Sequence, residues 1–242
     1  YFTGSPTLIQ SQTYRTQQKT SATNVHVSNC LFESITSGSN GGALFCSTSV
    51  TYLLVESSSF FSCKTSGRNG GAIYFKNANN GQSVLYEVCG YDCCSTYTSS
   101  SSNGQFSYIY VNNGALNKNY VNYSSITRCV IENSKSYYML FHYYGKICCP
   151  SVNLSMNKCY SRSGIYCIPY MDSNYVTCSL LYSSFADNIA TYYCCIKLWT
   201  TGAKYEIKNC NILRNTQGNV GAGGTIYTCG NLIIESSCAL EN

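Results

Sequence analysis

The side chains able to do chemistry are few, and their spacing excludes most of it. The 242 residues include only three aspartates (Asp92, Asp172 and Asp187) and two histidines (His26 and His142). Polysaccharide cleavage needs clustered carboxylates, for calcium or for acid–base work, and often a Lys or Arg at the reaction centre. Here the carboxylates are scattered. Asp187 reads as a turn residue, and Glu33, Glu132 and Glu235 read as decoration of turns and exposed strand positions. His142 reads as a hydrogen-bonded core or near-surface histidine. No Gly-x-Ser-x-Gly elbow or phosphate-binding loop occurs. No CxxC pair suggests structural zinc. The chain is therefore read as non-enzymatic, with no catalytic residue, metal or cofactor.

The 17 cysteines pose a different question. Several recur at intervals near 30: Cys63 and Cys93, Cys129 and Cys159, Cys148 and Cys178, Cys167 and Cys195, Cys210 and Cys238. Stacked one coil apart, such partners would sit about 4.8 Å apart at Cα, within bridging range. Each bridge would close a loop of about 30 residues and add about 3 kcal/mol. The competing reading is a ladder of free thiols packed as small hydrophobes. An odd count leaves at least one cysteine unpaired or paired with another chain. Cys93-Cys94, Cys148-Cys149 and Cys194-Cys195 each send at most one side chain inward, because strand neighbours face opposite ways. This cysteine content points to an oxidising, extracellular or cell-surface setting. Asn122-Tyr-Ser124 and Asn153-Leu-Ser155 are possible glycosylation sequons, but chance supplies several in a chain so rich in Asn, Ser and Thr.

The most site-like feature is aromatic. Phe45, Tyr74, Tyr110, Phe141, Tyr166, Lys197 and Tyr227 recur about once per 30 residues, and six of the seven are rings. If the flanking positions point inward, this column points outward and forms a stripe. Such a ladder stabilises a sheet by self-stacking. It also suits contact with a second solenoid or with sugar rings. Protein–protein packing is the preferred partner reading, because little charge accompanies the rings.

What would position these residues is a repeat. Leu31–Phe45 and Phe60–Tyr74 align without a gap, 29 residues apart. The position before the stripe reads Leu44, Ile73, Ile109, Leu140, Ile165, Ile196 and Ile226. The position after it reads Cys46, Phe75, Val111, His142, Cys167, Leu198 and Thr228. Alternation of this kind marks half-buried strands. A second apolar column reads Val25, Leu54, Leu85, Val121, Leu154, Leu180, Ile207 and Ile233. Between the columns an apolar residue is followed three places later by Asn, Cys or Ser, as in Phe60 to Cys63, Val130 to Asn133, Phe185 to Asn188 and Ile212 to Asn215. Asn there suits side-chain laddering and a left-handed turn. Gly41-Gly42, Gly70-Gly71 and Gly223-Gly224 supply the same freedom where the chain bends into the strand. No apolar run keeps a helical period. The fold expected is all-β, a parallel β-helix of about seven to eight coils of about 30 residues.

The Gly-Gly-Ala-Leu/Ile segments at 41–44 and 70–73, with Phe185-Ala-Asp-Asn188, resemble the GGA-I/L/V and FxxN motifs of polymorphic outer membrane protein repeats. The resemblance is strongest over 25–80 and next over 175–231. It implies a right-handed β-helix and a role in adhesion at a surface.

Residues 1–23 read as a degenerate first coil or a linker, and 24–242 as one β-helix domain, a fragment of a longer solenoid whose last coil ends without a cap. Fifteen Lys and Arg against ten Asp and Glu give a thinly spread charge of +5, with no basic stripe for nucleic acid. No 18-residue apolar run suggests a membrane span. The expected function is a structural or adhesive solenoid, surface-exposed or part of an extracellular fibre. Its partner would be itself, another solenoid or surface protein, or a glycan. The alternatives are a carbohydrate-binding or carbohydrate-cleaving β-helix, and an intracellular cytoskeletal scaffold of reduced thiols.

Overall fold

The computed structural model describes residues 1–98, 102–129, 136–160, 163–191, 195–218 and 224–242. Val130, Glu132, Asn133, Cys194 and Gly223 lie outside these residues. The described chain is all-β. Its parallel strands stack as a solenoid of about seven turns of about 28 residues. Each coil contributes a strand to three long sheets of nine, nine and eight strands, and short strands complete the section. Coil-to-coil pairing lets every strand satisfy its neighbour's backbone without crossover helices. No helix among the described residues is long and apolar enough to cross a membrane.

The coil from Tyr52 to Lys76 illustrates the plan. Tyr52–Glu56 joins the first sheet and alternates half-buried and buried residues. Ser57 turns the corner at φ 44°, Ser59–Phe61 joins the second sheet, and Ser62 turns the next corner at φ 49°. Lys64–Thr65 forms a short rung, and Ile73–Lys76 joins the third sheet. From the second coil on, both corners recur with a non-glycine residue in the left-handed region, among them Tyr123, Arg128, Met156 and Asp187. That conformation costs about 1–2 kcal/mol per residue. Its backbone N–H finds a carbonyl one coil on in return, as Ser57 does at Tyr86 and Ser62 at Tyr91. The corners therefore need no sequence signature. The Asn of the FxxN pattern is not itself left-handed: it follows the left-handed residue and turns its amide inward.

Glycine holds the third bend in three successive coils. Gly41, Gly70 and Gly104 hold φ of 68–71°. A Cβ on Gly42 would lie 2.0 Å from the Gly71 carbonyl oxygen, and one on Gly71 would lie 2.0 Å from that of Gln105. Tyr138 continues this column at φ 60° without being glycine.

One core fills the bore, with Phe32, Phe60, Leu85, Ile109, Leu154, Phe185 and Ile207 fully buried. Residues 7–20 form the first coil: Thr7–Gln10, Thr13–Tyr14 and Gln18–Thr20 pair with the strands of the next coil.

The pairing corrects two sequence columns. Ile73 pairs with Ser107, while Ile109 pairs with Phe75 and His142. The column read through Ile109 and Val111 therefore runs through Ser107 and Ile109. The step from Ile73 to Ser107 is 34 residues, longer than its neighbours, and the apolar pattern drew the reading two places too far. In the first sheet the inward column is Val27, Val55, Leu85, Val121, with Leu180, Ile207 and Ile234 further on. Val25 lies two places away, Leu54 and Ile233 one place away, and Leu154 belongs to the second sheet.

Candidate binding face

The third sheet turns one face to the core and the other outward. Its outward column, read from the strand pairing, is Phe45, Tyr74, Tyr108, Phe141, Tyr166, Lys197 and Tyr227. Tyr108 takes the place expected for Tyr110, by the same two-residue slip. Phe45, Tyr74, Tyr108 and Phe141 stack nearly parallel, with successive centroids 5.5, 5.3 and 4.8 Å apart and interplanar angles of 5°, 13° and 6°. The stack then breaks: Tyr166 meets Phe141 edge-on at 5.3 Å. Tyr74 and Tyr108 are half-buried and stacked on both sides, so they spend both faces on their neighbours and offer an edge to solvent.

A second outward column, two residues along, widens the stripe into a platform. It contains Lys76, Tyr110, Tyr143 and Ile168, and Trp199 follows in the next coil. Tyr110 and Tyr143 have centroids 4.6 Å apart, and the Lys76 ammonium lies 5.4 Å from the Tyr110 ring. The sequence gives this column no repeat of its own, because Lys76, Tyr110, Tyr143, Ile168 and Trp199 differ in type from coil to coil. The same period-two alternation makes every second residue after the stripe share its face. Trp199, the only tryptophan, stacks on Tyr227 at 5.4 Å.

Where the stack breaks, the platform dips into an open groove of about 620 Å³. Phe141, Tyr143, Tyr144, Tyr166 and Trp199 give it ring surfaces, and Asn103, Asn113 and Thr200 give it polar rims. Tyr138 closes the floor, stacked on Tyr166 at 4.4 Å and 2% exposed. Among the described lining residues, Lys197 is the one that carries charge. Its ammonium lies 4.0 Å from the Trp199 centroid, 5.2 Å from Tyr166 and 5.6 Å from Tyr227, a cation–π arrangement. Burial pushes the Tyr74, Tyr108 and Tyr110 phenols above their ordinary range. Tyr143 is pushed up to about 12 by burial and then by its hydrogen bond with Tyr144. These phenols stay neutral at physiological pH, so the platform's charge comes from lysine.

The cysteines are arranged otherwise than the spacing suggested. No two of the sixteen described cysteines are bridged to each other, and twelve of the sixteen are buried. Of the five spaced pairs, only Cys63 and Cys93 stack, and Cys129 extends their column: the Cys93 N–H donates to Cys129 Sγ at 3.3 Å. Asn157, not Cys159, follows Cys129, and Cys159 pairs with Ala190. Cys178 pairs with Ile147, so it lies inside while Cys148 faces outward. Cys167 pairs with Leu198 rather than Cys195, and Cys238 with Asn211 rather than Cys210. Turn lengths differ between coils, so equal spacing in sequence is not equal register. Burial pushes the Cys46, Cys149, Cys159 and Cys167 thiols upward, which keeps them protonated.

The remaining polar groups have local work. Asp187 accepts from Arg214 Nε and Nη2 at 2.7 and 2.9 Å, Asp92 pairs with Lys64 at 3.1 Å, and Asp172 accepts backbone N–H bonds from Asn174 and Tyr175. His26 meets Glu56 at 2.8 Å. His142 is fully buried, with Nδ1 2.5 Å from Asn119 Oδ1, and burial lowers its pKa to about 3. Asn122 and Asn153 are half-buried strand residues, and the Asn153 amide donates to Ser125. Among the described residues no group of three or more His, Cys, Asp and Glu side chains is placed to hold a metal.

No protein-family model matches the chain, and neither a curated protein nor a solved structure matches it significantly.

Proposed function

We propose that this solenoid is a non-enzymatic adhesive or structural element, displayed at a cell surface or in an extracellular fibre, that works through the ringed face of its third sheet. The observation that carries this reading is the aromatic column itself. Phe45, Tyr74, Tyr108 and Phe141 stay stacked across four coils while most other outward positions change type freely. Soluble proteins seldom leave large apolar areas unpartnered, and Tyr and Trp suit interfaces because each joins an apolar ring to a polar tip. The Gly-Gly-Ala repeats support the same direction through their resemblance to repeats of surface adhesins. The test is attachment of beads coated with the chain to a surface carrying a second copy or a glycan layer. Tyr74→Ser with Tyr108→Ser should abolish attachment while leaving the far-ultraviolet spectrum of the fold intact. Attachment unchanged by this pair overturns the reading.

The thiols favour a second reading, an intracellular scaffold. Twelve buried cysteines, mostly out of register for bridging, pack as a reduced core would. A thiol count on the denatured, unreduced protein separates the two. A count near 17 supports the scaffold, and a much lower one supports the oxidising setting.

A further inference from the structure

We propose that Tyr110 and Tyr143, paired phenols on the outer face of the third sheet, are a site of covalent cross-linking, joined as a dityrosine by a peroxidase-type one-electron oxidant that consumes hydrogen peroxide. The bond ties two successive coils together. It does not depend on what the ringed face contacts.

The chain holds 24 tyrosines, and contact geometry selects among them. Tyr110 and Tyr143 are register partners on neighbouring strands, so their side chains leave the sheet at the same height. Their ring centroids lie 4.6 Å apart, which puts ring carbons in van der Waals contact. The ring planes are tilted by 47°. A dityrosine bond joins the carbons beside the two phenol oxygens and lies in the plane of each ring. It therefore forms between rings that approach by their edges with a twist. Other close tyrosine pairs are arranged differently. Tyr74 and Tyr108 stack within 13° of parallel and present faces to each other. Tyr138 and Tyr166 stack at 22°, and Tyr138 is 2% exposed. Tyr86 and Tyr123 are T-shaped at 72°, which aims an edge at a face.

The column also limits the choice of partner. Tyr110 pairs with Lys76 on one side and Tyr143 on the other, and Tyr143 pairs next with Ile168. A radical on either phenol finds only the other phenol beside it in the column. Tyr144 completes the cluster. Its φ of 68° breaks the strand alternation, and its ring comes within 4.3 Å of Tyr143 at 65°. These two share a hydrogen bond, so they meet at their oxygens rather than at the coupling carbons. The Tyr143 O–H thus has an acceptor in place when its electron leaves. All three residues are half-buried, within reach of an oxidant at the surface.

Each phenol loses one electron and its O–H proton and becomes a neutral radical. The two radicals couple through one new carbon–carbon bond, and the hydrogen on each coupled carbon moves to oxygen and restores the phenol. The two electrons and two protons released reduce one hydrogen peroxide to two waters, with the peroxidase haem carrying the electrons singly.

The experiment treats the dilute, folded chain with a haem peroxidase and hydrogen peroxide. Products are separated on a reducing, denaturing gel, so that disulfides do not count. Dityrosine fluorescence is read in the monomer band, and tandem mass spectrometry locates the linked residues. The expected result is a link between Tyr110 and Tyr143 within one chain. Tyr110→Phe and Tyr143→Phe keep the rings and remove a phenol. Each should lower monomer dityrosine to the level of a sample without peroxidase, with the far-ultraviolet spectrum unchanged. Tyr123→Phe should leave the yield as in wild type. Links confined to Tyr175 and Tyr182, 71% and 67% exposed, overturn the proposal, because exposure rather than pairing then chooses the site. A link between Tyr143 and Tyr144, links only between chains, or no dityrosine at all also overturn it. Bead attachment through the ringed face is read separately, so either reading can fail without the other.

Discussion

Asn188 donates its side-chain amide to Oδ1 of Asn215, one coil on, at 2.9 Å, and the same amide also donates to the Leu154 carbonyl at 2.8 Å. The pattern repeats without interruption: Asn157 donates to Asn188, and Asn215 to Asn242. Each Oδ1 in turn accepts a backbone N–H from the preceding coil, as Asn188 does from Asn157 and Asn215 from Asn188. On the other side the column continues as Cys129, Cys93 and Cys63. One corner of the solenoid is thus held by amides in its C-terminal half and filled by thiols in its N-terminal half.

Asn188→Ala strands the Asn157 N–H and the Leu154 carbonyl in a fully buried corner. Each buried orphan costs about 1–3 kcal/mol, so the variant should lose about 2–6 kcal/mol in urea unfolding. Asn174→Ala, in an exposed loop, should stay within about 0.5 kcal/mol of wild type. Equal effects at the two sites would contradict the ladder.

Two glycine substitutions test the close approach of the coils. A Cβ on Gly71 meets the Gln105 carbonyl oxygen at 2.0 Å and the Cys94 Cα at 2.6 Å, whereas a Cβ on Gly38 meets nothing within 4 Å. Gly38→Ala should be neutral or slightly stabilising, because it restricts the unfolded chain by about 0.4–1 kcal/mol. Gly71→Ala should cost more than about 3 kcal/mol or prevent folding, as read by soluble yield and thermal midpoint.

His142 predicts a pH dependence. Its folded pKa is lowered to about 3 by burial, against an unfolded value near 6.5. The unfolded chain therefore binds more protons between these values, and stability rises with pH across the window. The contribution is complete above about pH 6.5 and declines as pH falls toward 3, by at most ~1.4 kcal/mol per pH unit. His142→Gln keeps a donor for Asn119 Oδ1 and removes the titration. Its urea midpoint should be flatter between pH 6.5 and 4 than that of wild type.

Thiol labelling of the native chain should follow burial. Cys89 and Cys238 are exposed, Cys148 and Cys229 are half-buried, and the Cys63, Cys93 and Cys129 column is buried. A maleimide followed by peptide mapping should modify the first pair fastest, the second more slowly and the column only after unfolding. Labelling of Cys93 at the rate of Cys89 would contradict the packing.

The fold was legible in the sequence because it depends on residues with no substitute. Gly42 and Gly71 face a neighbouring carbonyl at a distance no Cβ can share, so the Gly-Gly pairs recur. Inward aliphatics such as Leu44 and Ile73 fill a bore of fixed width. The register was legible only where coils are equal in length. The step from Gln82 to Lys118 is 36 residues and that from Lys204 to Asn231 is 27, and this variation separated Cys210 from Cys238 and Tyr74 from Tyr110. The aromatic stripe survived the slip because Tyr108 and Tyr110 both face outward. The groove was not legible. It arises from the turned Tyr166 ring and from Tyr138 occupying a glycine position, and neither leaves a mark in the repeat.

The central claim is that the ringed face of the third sheet makes the contact. Hydroxyl-radical footprinting of the chain, free and attached to the bead surface, tests it most directly. The account predicts protection of Tyr74, Tyr108, Tyr166 and Trp199 on attachment, with Tyr123 and Tyr182, 56% and 67% exposed at the opposite corner, unchanged. Protection of Tyr123 and Tyr182 with the ringed face unchanged would contradict it.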